Sequence, residues 1–198
     1  MKLITRPIVR LPFLKVDRGY YAPGNAYDDR PQFPSHQLLL PYLVPKIEQP
    51  IDSDEAVIGS GSGFLDPLFA ELAGETSIIV GVDHVEELRK LGETNMRKSV
   101  DGWSEASNNS SLCSDDGDWD VIHVGAAVVR LHDELVRQLR SPGRLFIPIA
   151  DVENNSSSDQ YIWTVEKDED GNVTKTKLCQ AQCVSRMDAL SVILDGFL

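Results

Sequence analysis

The sequence predicts an α/β protein with a doubly wound, largely parallel sheet and an antiparallel edge. Three observations carry this. Short β-branched runs alternate with stretches of helical periodicity between residues 56 and 149, the pattern of strand–helix–strand units. A glycine-rich turn, Gly59-Ser60-Gly61-Ser62-Gly63, falls between the first β-type run and the first helical one. Two late β-type runs flank Asp170-Gly171, the dipeptide of a tight hairpin.

The elements follow in order. Ala56 to Gly59 is a short apolar run ending in glycine, and Phe64 to Leu72 places Leu65, Leu68, Phe69 and Leu72 at helical spacing. Pro67 lies in the first turn of that helix, where a missing amide costs little, and Gly74 is its stop. Ser77 to Val82 is a β-branched run, Glu86 to Lys98 a charged helix-favouring stretch, and Trp119 to Val124 a further strand. Leu131, Leu135 and Leu139 form an i, i+4 stripe, predicting a helix that Pro142-Gly143 ends before a strand over Arg144 to Ile149. Gln160 to Val165 and Val173 to Lys177 are the two arms of the hairpin. Gly19 to Pro34, Ser104 to Asp118 and Glu153 to Asp159 read as loop or disorder, with too little apolar surface to offset the entropy of ordering.

Composition narrows the function. The 198 residues are 41% hydrophobic and 25% charged, the balance of a globular chain with a sizeable core. With 31 acids against 19 bases the net charge is −12, which disfavours nucleic acid as a partner. No apolar run reaches the roughly 20 residues of a spanning helix. Cys113, Cys179 and Cys183 do not make a disulfide framework, and with four scattered histidines no metal site is expected. The first sixteen residues carry Lys2, Arg6, Arg10 and Lys15 without an acid, as a mitochondrial leader would. Pro7 and Pro12 are expected to break such a helix, so a reducing, cytoplasmic setting is the expectation.

The glycine turn is the most chemical stretch. Glycines between a strand and a helix let the backbone approach a ligand closely. The dinucleotide pattern G-x-G-x-x-G fails, because Phe64 takes its last position. A nicotinamide-dependent dehydrogenase is therefore disfavoured. Asp83 closes the second strand about twenty residues on, where an acid can accept ribose hydroxyls. Turn and acid together point to a nucleoside-containing ligand without a pyrophosphate, against the plainer reading of a merely tight strand-to-helix turn.

Four blocks make the chain resemble the protein-L-isoaspartate (D-aspartate) O-methyltransferases. They are Val16-Asp17-Arg18 through Tyr21-Ala22-Pro23 to Arg30-Pro31-Gln32, then Gly59 to Leu65 with Val80-Gly81-Val82-Asp83-His84. The others are Asp120-Val121-Ile122-His123-Val124-Gly125-Ala126-Ala127, and Gln138-Leu139-Arg140 with Pro142-Gly143-Arg144-Leu145 and Ile147-Pro148. The resemblance covers most of residues 15 to 178 and implies a Rossmann-like class I methyltransferase sheet, incomplete here. Residues 1–50 would be a substrate-side segment, 51–178 the core and 179–198 a divergent tail of one domain. It implies S-adenosyl-L-methionine as cofactor, held by Gly59, Ser60, Gly61, Ser62 and Gly63 along its methionine part and by Asp83 and His84 at the ribose. Asp101-Gly102 resembles the remnant of the family's G-D-G beside the adenine. His123, Val124, Gly125 and Ala126 would lie on the substrate side; for His123 itself a hydrogen-bonded structural role is favoured over catalysis.

The same resemblance implies protein repair by a monomer, through methylation of L-isoaspartyl or D-aspartyl carboxylates in damaged proteins or peptides. It also marks departures. The family's serine-bearing segment after Pro31-Gln32 is missing, so no catalytic side chain is assigned; Ser35 is the candidate stand-in, with a plain loop serine favoured. Val57 occupies the place of an acid before the glycines, and Glu55 could substitute only with a shifted backbone. Arg97-Lys98-Ser99-Val100 leads straight to Asp101 with no room for the family's third strand. The competing expectation is a non-catalytic relative that binds the cofactor or a partner protein.

Overall fold

The computed structural model describes residues 7–22, 26–27, 53–83, 85–99, 119–150 and 160–181. In chain order its elements are α1 (Pro7–Lys15), a 3-10 turn (Arg18–Tyr20), β1 (Glu55–Ile58), α2 (Leu65–Ala73), β2 (Ile79–Val82), α3 (Glu86–Ser99) and β3 (Trp119–Val124). Then follow α4 (Asp133–Arg137), β4 (Leu139–Ala150), β5 (Gln160–Lys167) and β6 (Val173–Ala181). They fall into two compact units, one within Met1–Ser53 and Ser60–Ala106, the other within Asp54–Gly59 and Ser107–Leu198.

The first unit holds α1, α2, β2 and α3. In α2 the predicted stripe buries Leu65, Leu68 and Phe69. Gly74, at φ +109°, ends the helix while its amide donates to the Ala70 carbonyl. That backbone region is closed to most side chains, so a glycine stop is what the geometry requires. The α3 helix carries Glu86 and Glu87 in its first turn and Arg97 and Lys98 in its last, complementing the helix dipole. Tyr21, after the 3-10 turn, is fully buried; its ring meets Phe64 edge-on at 5.4 Å and its hydroxyl bonds to Ser99 Oγ.

One expectation is corrected here. Pro12 does not break the N-terminal helix, because α1 runs through it from Pro7 to Lys15. Pro7 occupies the first position, where no amide is needed, and Pro12 removes only one internal hydrogen bond. Packing on α2, with Pro12 itself buried and a Lys15–Glu71 ion pair alongside, outweighs that loss.

The second unit is a sheet in the order β1-β3-β4-β5-β6. Strands β1, β3 and β4 run parallel, Glu55 facing Val121 and Ile122 facing Leu145. The hairpin β4-β5-β6 is antiparallel, with Leu145 opposite Val165 and Val165 opposite Lys175. Val57, Val124, Leu135, Leu139, Leu145, Ile147 and Ile162 are wholly inaccessible and form the core. The Asp170-Gly171 turn appears as predicted: Gly171 sits at φ +82°, and Asp168 Oδ1 accepts from the Asp170 and Asn172 amides.

Two boundaries differ most from the sequence expectation. The helix expected along Leu131, Leu135 and Leu139 is only Asp133–Arg137, and Leu139 opens β4 instead, paired with Trp119. The hairpin's second arm also continues past Lys177 to Ala181, as Gln160 pairs with Ala181 across it. The loops expected at 104–118 and 153–159, and most of the one expected at 19–34, lie outside the described residues.

At the amino ends of β1 and β3, Arg140 joins two acids, donating to Asp120 Oδ2 at 2.5 Å and Asp54 Oδ2 at 3.0 Å. The Asp54 amide also donates to Asp120 Oδ2 at 2.8 Å. The Arg140 side chain is 39% exposed, so solvent screens much of the attraction. Arg140→Met is expected to cost roughly 1 kcal/mol, read as a lower urea midpoint that high salt partly erases in the parent protein.

Candidate functional site

The turn between β1 and α2 is built from glycines that no other residue could replace cheaply. Gly59, Gly61 and Gly63 sit at φ +79°, +59° and +77°, a region that costs residues with a Cβ about 1–2 kcal/mol. In the first unit the Ser60 amide donates to the Val82 carbonyl at 3.1 Å and the Gly63 amide to the Ser60 carbonyl at 3.0 Å. Asn95, buried on α3, donates from Nδ2 to the Ser62 carbonyl at 3.1 Å. A Cβ on Gly63 would fall 3.0 Å from the Gly92 Cα, so turn and helix touch backbone to backbone.

Asp83 is joined to this turn. Its Oδ2 accepts from the Gly61 amide at 2.9 Å and its Oδ1 from the Val85 amide at 2.9 Å. A carboxylate offers about four acceptor directions, so it can hold both amides and still receive ribose hydroxyls. The glycines and the acid that the sequence paired by spacing are therefore in direct contact. His84, Asp101, Gly102 and Ser35 lie outside the described residues.

A second acid, which sequence reasoning passed over, lies at the same turn. Asp66, in the first turn of α2, is 5% exposed and its Oδ2 accepts from Ser60 Oγ at 2.5 Å. Its Oδ1 is buried with no hydrogen-bond partner among the described residues. A Cβ on Gly81 of β2 would lie 2.5 Å from that oxygen and 2.9 Å from Ser60 Oγ, so a larger residue there would have to displace the Asp66 and Ser60 side chains. The sequence did hold a trace: Asp66 stands three residues before Phe69, on the side of α2 that the apolar residues bury. Burial pushes its carboxyl up to about 6, opposed by the Ser60 hydrogen bond and aided by the charge of Asp83.

The folded chain thus holds the Asp66 proton more tightly than the unfolded chain does. The stability this contributes is full below about pH 4 and is lost as pH rises through about 6. Asp66→Asn keeps the shape without the charge. It is expected to raise stability by roughly 2 to 3 kcal/mol at pH 7.5 and to match the parent at pH 4, measured by urea unfolding.

In the second unit the carboxyl ends of β1 and β3 are tied at Gly125, whose amide donates to the Ile58 carbonyl at 2.7 Å. A Cβ on Gly125 would approach the Gly59 carbonyl to 2.9 Å. Gly125 is exposed and Ala126 half-buried, whereas His123 and Val124 are enclosed in the strand. The His123 imidazole stacks on Phe146 at 5.6 Å between ring centres. Burial pushes it down to about 4, so it is neutral at physiological pH. Glu55 and Val57 are both buried in β1.

A parallel α/β sheet with an antiparallel edge, fed by a glycine turn that an acid grips from the next strand, is a class I methyltransferase fold. The structure superposes on a Plasmodium falciparum protein-L-isoaspartate O-methyltransferase in complex with S-adenosyl-L-homocysteine, with a TM-score of 0.75 and 25% identity, covering 93% of this chain and 92% of that one. A second protein-L-isoaspartate O-methyltransferase structure gives a TM-score of 0.74 at 16% identity, covering 93% of this chain and 62% of that one. The family model described as protein-L-isoaspartate(D-aspartate) O-methyltransferase matches residues 2–190. The chain belongs to that family.

Relatives include protein-L-isoaspartate O-methyltransferase 2 of Arabidopsis thaliana, 30% identical over 88% of this chain, and the protein-L-isoaspartate O-methyltransferase of Caenorhabditis elegans, 32% identical over 71%. The chain spans 62% of the length of the first relative and 69% of the second.

Proposed function

We propose that this protein transfers a methyl group from S-adenosyl-L-methionine to the free carboxylate of L-isoaspartyl or D-aspartyl residues in damaged proteins and peptides. Family membership supports the reaction. The contact between Asp83 and the Gly61 amide is the single observation that carries the cofactor assignment, because it sets a ribose-binding acid against a turn open to close approach. In this reading the backbone of Gly59 to Gly63 borders the methionine part and Asp83 receives the ribose hydroxyls. His84, Asp101 and Gly102 complete the adenosine side, and Gly125 and Ala126 border the substrate.

The cofactor, when bound, supplies an activated methyl group. The chain's part is positioning and exclusion of water. A carboxylate acceptor has an unperturbed pKa near 4 and is ionised at neutral pH, so no general base is needed. A neutral, enclosed His123 agrees with that economy: it contributes a stacked ring to the sheet. Among the described residues no helix is long and apolar enough to cross a membrane. The acidic chain, acting as a monomer on flexible substrate segments in the cytoplasm, fits the reaction.

Calorimetric titration with S-adenosyl-L-homocysteine, followed by transfer of labelled methyl to an isoaspartyl peptide, tests this. Heat at micromolar ligand and label on the peptide are expected. No heat at millimolar ligand removes the cofactor reading. Heat without transfer withdraws the enzyme and leaves a cofactor-binding relative.

A further inference from the structure

We infer that Asp66 is a charge-sensing positioning residue of the cofactor turn: ionised, it favours a positively charged sulfonium cofactor over the neutral sulfide that remains after transfer. The inference rests on the proposed cofactor site and deepens it.

The geometry places Asp66 immediately behind the turn. Its Oδ2 holds the Ser60 hydroxyl, and Ser60 is in turn tied to β2 through the Val82 carbonyl. Its Oδ1 is buried without a hydrogen-bond partner among the described residues, pressed against Gly81, two positions before Asp83. The groups that act on it are the Ser60 hydroxyl, the Asp83 carboxylate from the end of β2 and the Tyr21 phenol from the N-terminal segment. No cation is paired with it among the described residues. A buried acid with an orphaned oxygen and a like charge nearby is costly in its ionised form. A cation entering the turn relieves that cost; a neutral ligand of the same shape does not.

The two ligands differ here by one methyl group and one charge. The pull of an ionised Asp66 is felt by the sulfonium and disappears once the methyl has left, which loosens the product. Protonating Asp66 abolishes the distinction. An opposite charge close by lowers an acid's pKa by about one unit or more. By linkage, the preference for the cation then grows about tenfold between protonated and ionised Asp66.

The experiment is a calorimetric titration of the full chain with S-adenosyl-L-methionine and, separately, S-adenosyl-L-homocysteine at steps from pH 5 to pH 7. The parent protein and Asp66→Asn are compared. The affinity ratio of sulfonium to sulfide is expected to rise about fivefold or more across this range in the parent and to stay level in the variant. Other groups that titrate change both proteins alike. A level ratio in the parent, or the same rise in Asp66→Asn, overturns the inference while leaving the cofactor site standing. Failure of both ligands to bind at every pH overturns the site and the inference together. Should Asp66→Asn not fold, the slope of the parent's ratio decides alone.

Discussion

Asp83→Ala is expected to weaken binding of S-adenosyl-L-homocysteine by about 10²- to 10³-fold, measured by calorimetry at pH 7.5. Two losses add. The variant removes the acceptor for ribose hydroxyls, and hydrogen bonds to a charged group contribute about 1.5–3 kcal/mol each. It also frees the Gly61 and Val85 amides, which Asp83 holds at 2.9 Å, so the turn must be ordered by the ligand itself. Asp83→Asn separates the two. Its amide oxygen can still accept one backbone bond, so it should retain more of the fold's stability than of the affinity. Affinity within threefold of the parent in Asp83→Ala would place the nucleoside elsewhere.

Gly63→Ala is expected to destabilise the protein by about 3 to 5 kcal/mol, measured by urea unfolding. Its φ of +77° is strained for alanine, and the new Cβ would lie 3.0 Å from the Gly92 Cα and 3.1 Å from its carbonyl oxygen. Those atoms belong to the α3 backbone and cannot swing aside as a side chain would. The reciprocal change discriminates. A Cβ on Gly92 meets the Gly61 carbonyl and the Gly63 amide at an ordinary 3.4 Å, and alanine favours a helix interior by about 1 kcal/mol. Gly92→Ala should therefore be near neutral in urea unfolding while Gly63→Ala is severe. Equal effects would mean that the contact is not what restricts the turn.

Periodicity made the regular elements legible. Trp119–Val124 appears with the limits its residues predict, and β1, α2, β2 and α3 deviate by a residue or two, because each is a short run fixed by its own pattern. The α4–β4 junction was opaque for a physical reason. Leu135 and Leu139 are both buried, and an i, i+4 pair inside a helix looks the same as one that straddles a helix end and a strand start. What decides is the pairing of Leu139 with Trp119, a contact twenty residues away in the chain that no local window contains. The site divides likewise. Gly61 and Asp83 could be paired from spacing, whereas Asp66 and Asn95 act by burial against Gly81 and the Ser62 carbonyl. The spacing of Asp66 to Phe69 hints that it faces inward, but no local window contains what it meets there.

The Arg140 clasp sits at the amino ends of β1 and β3, and Gly59 and Gly125 at their carboxyl ends, about 16 Å further along at the usual rise per residue. Perturbations that far apart without shared partners are close to additive. Thermal robustness can accordingly be dialled up or down at one rim of the sheet, by charge changes around Asp54, Asp120 and Arg140, with little disturbance to the opposite rim. For an engineer this is a free handle.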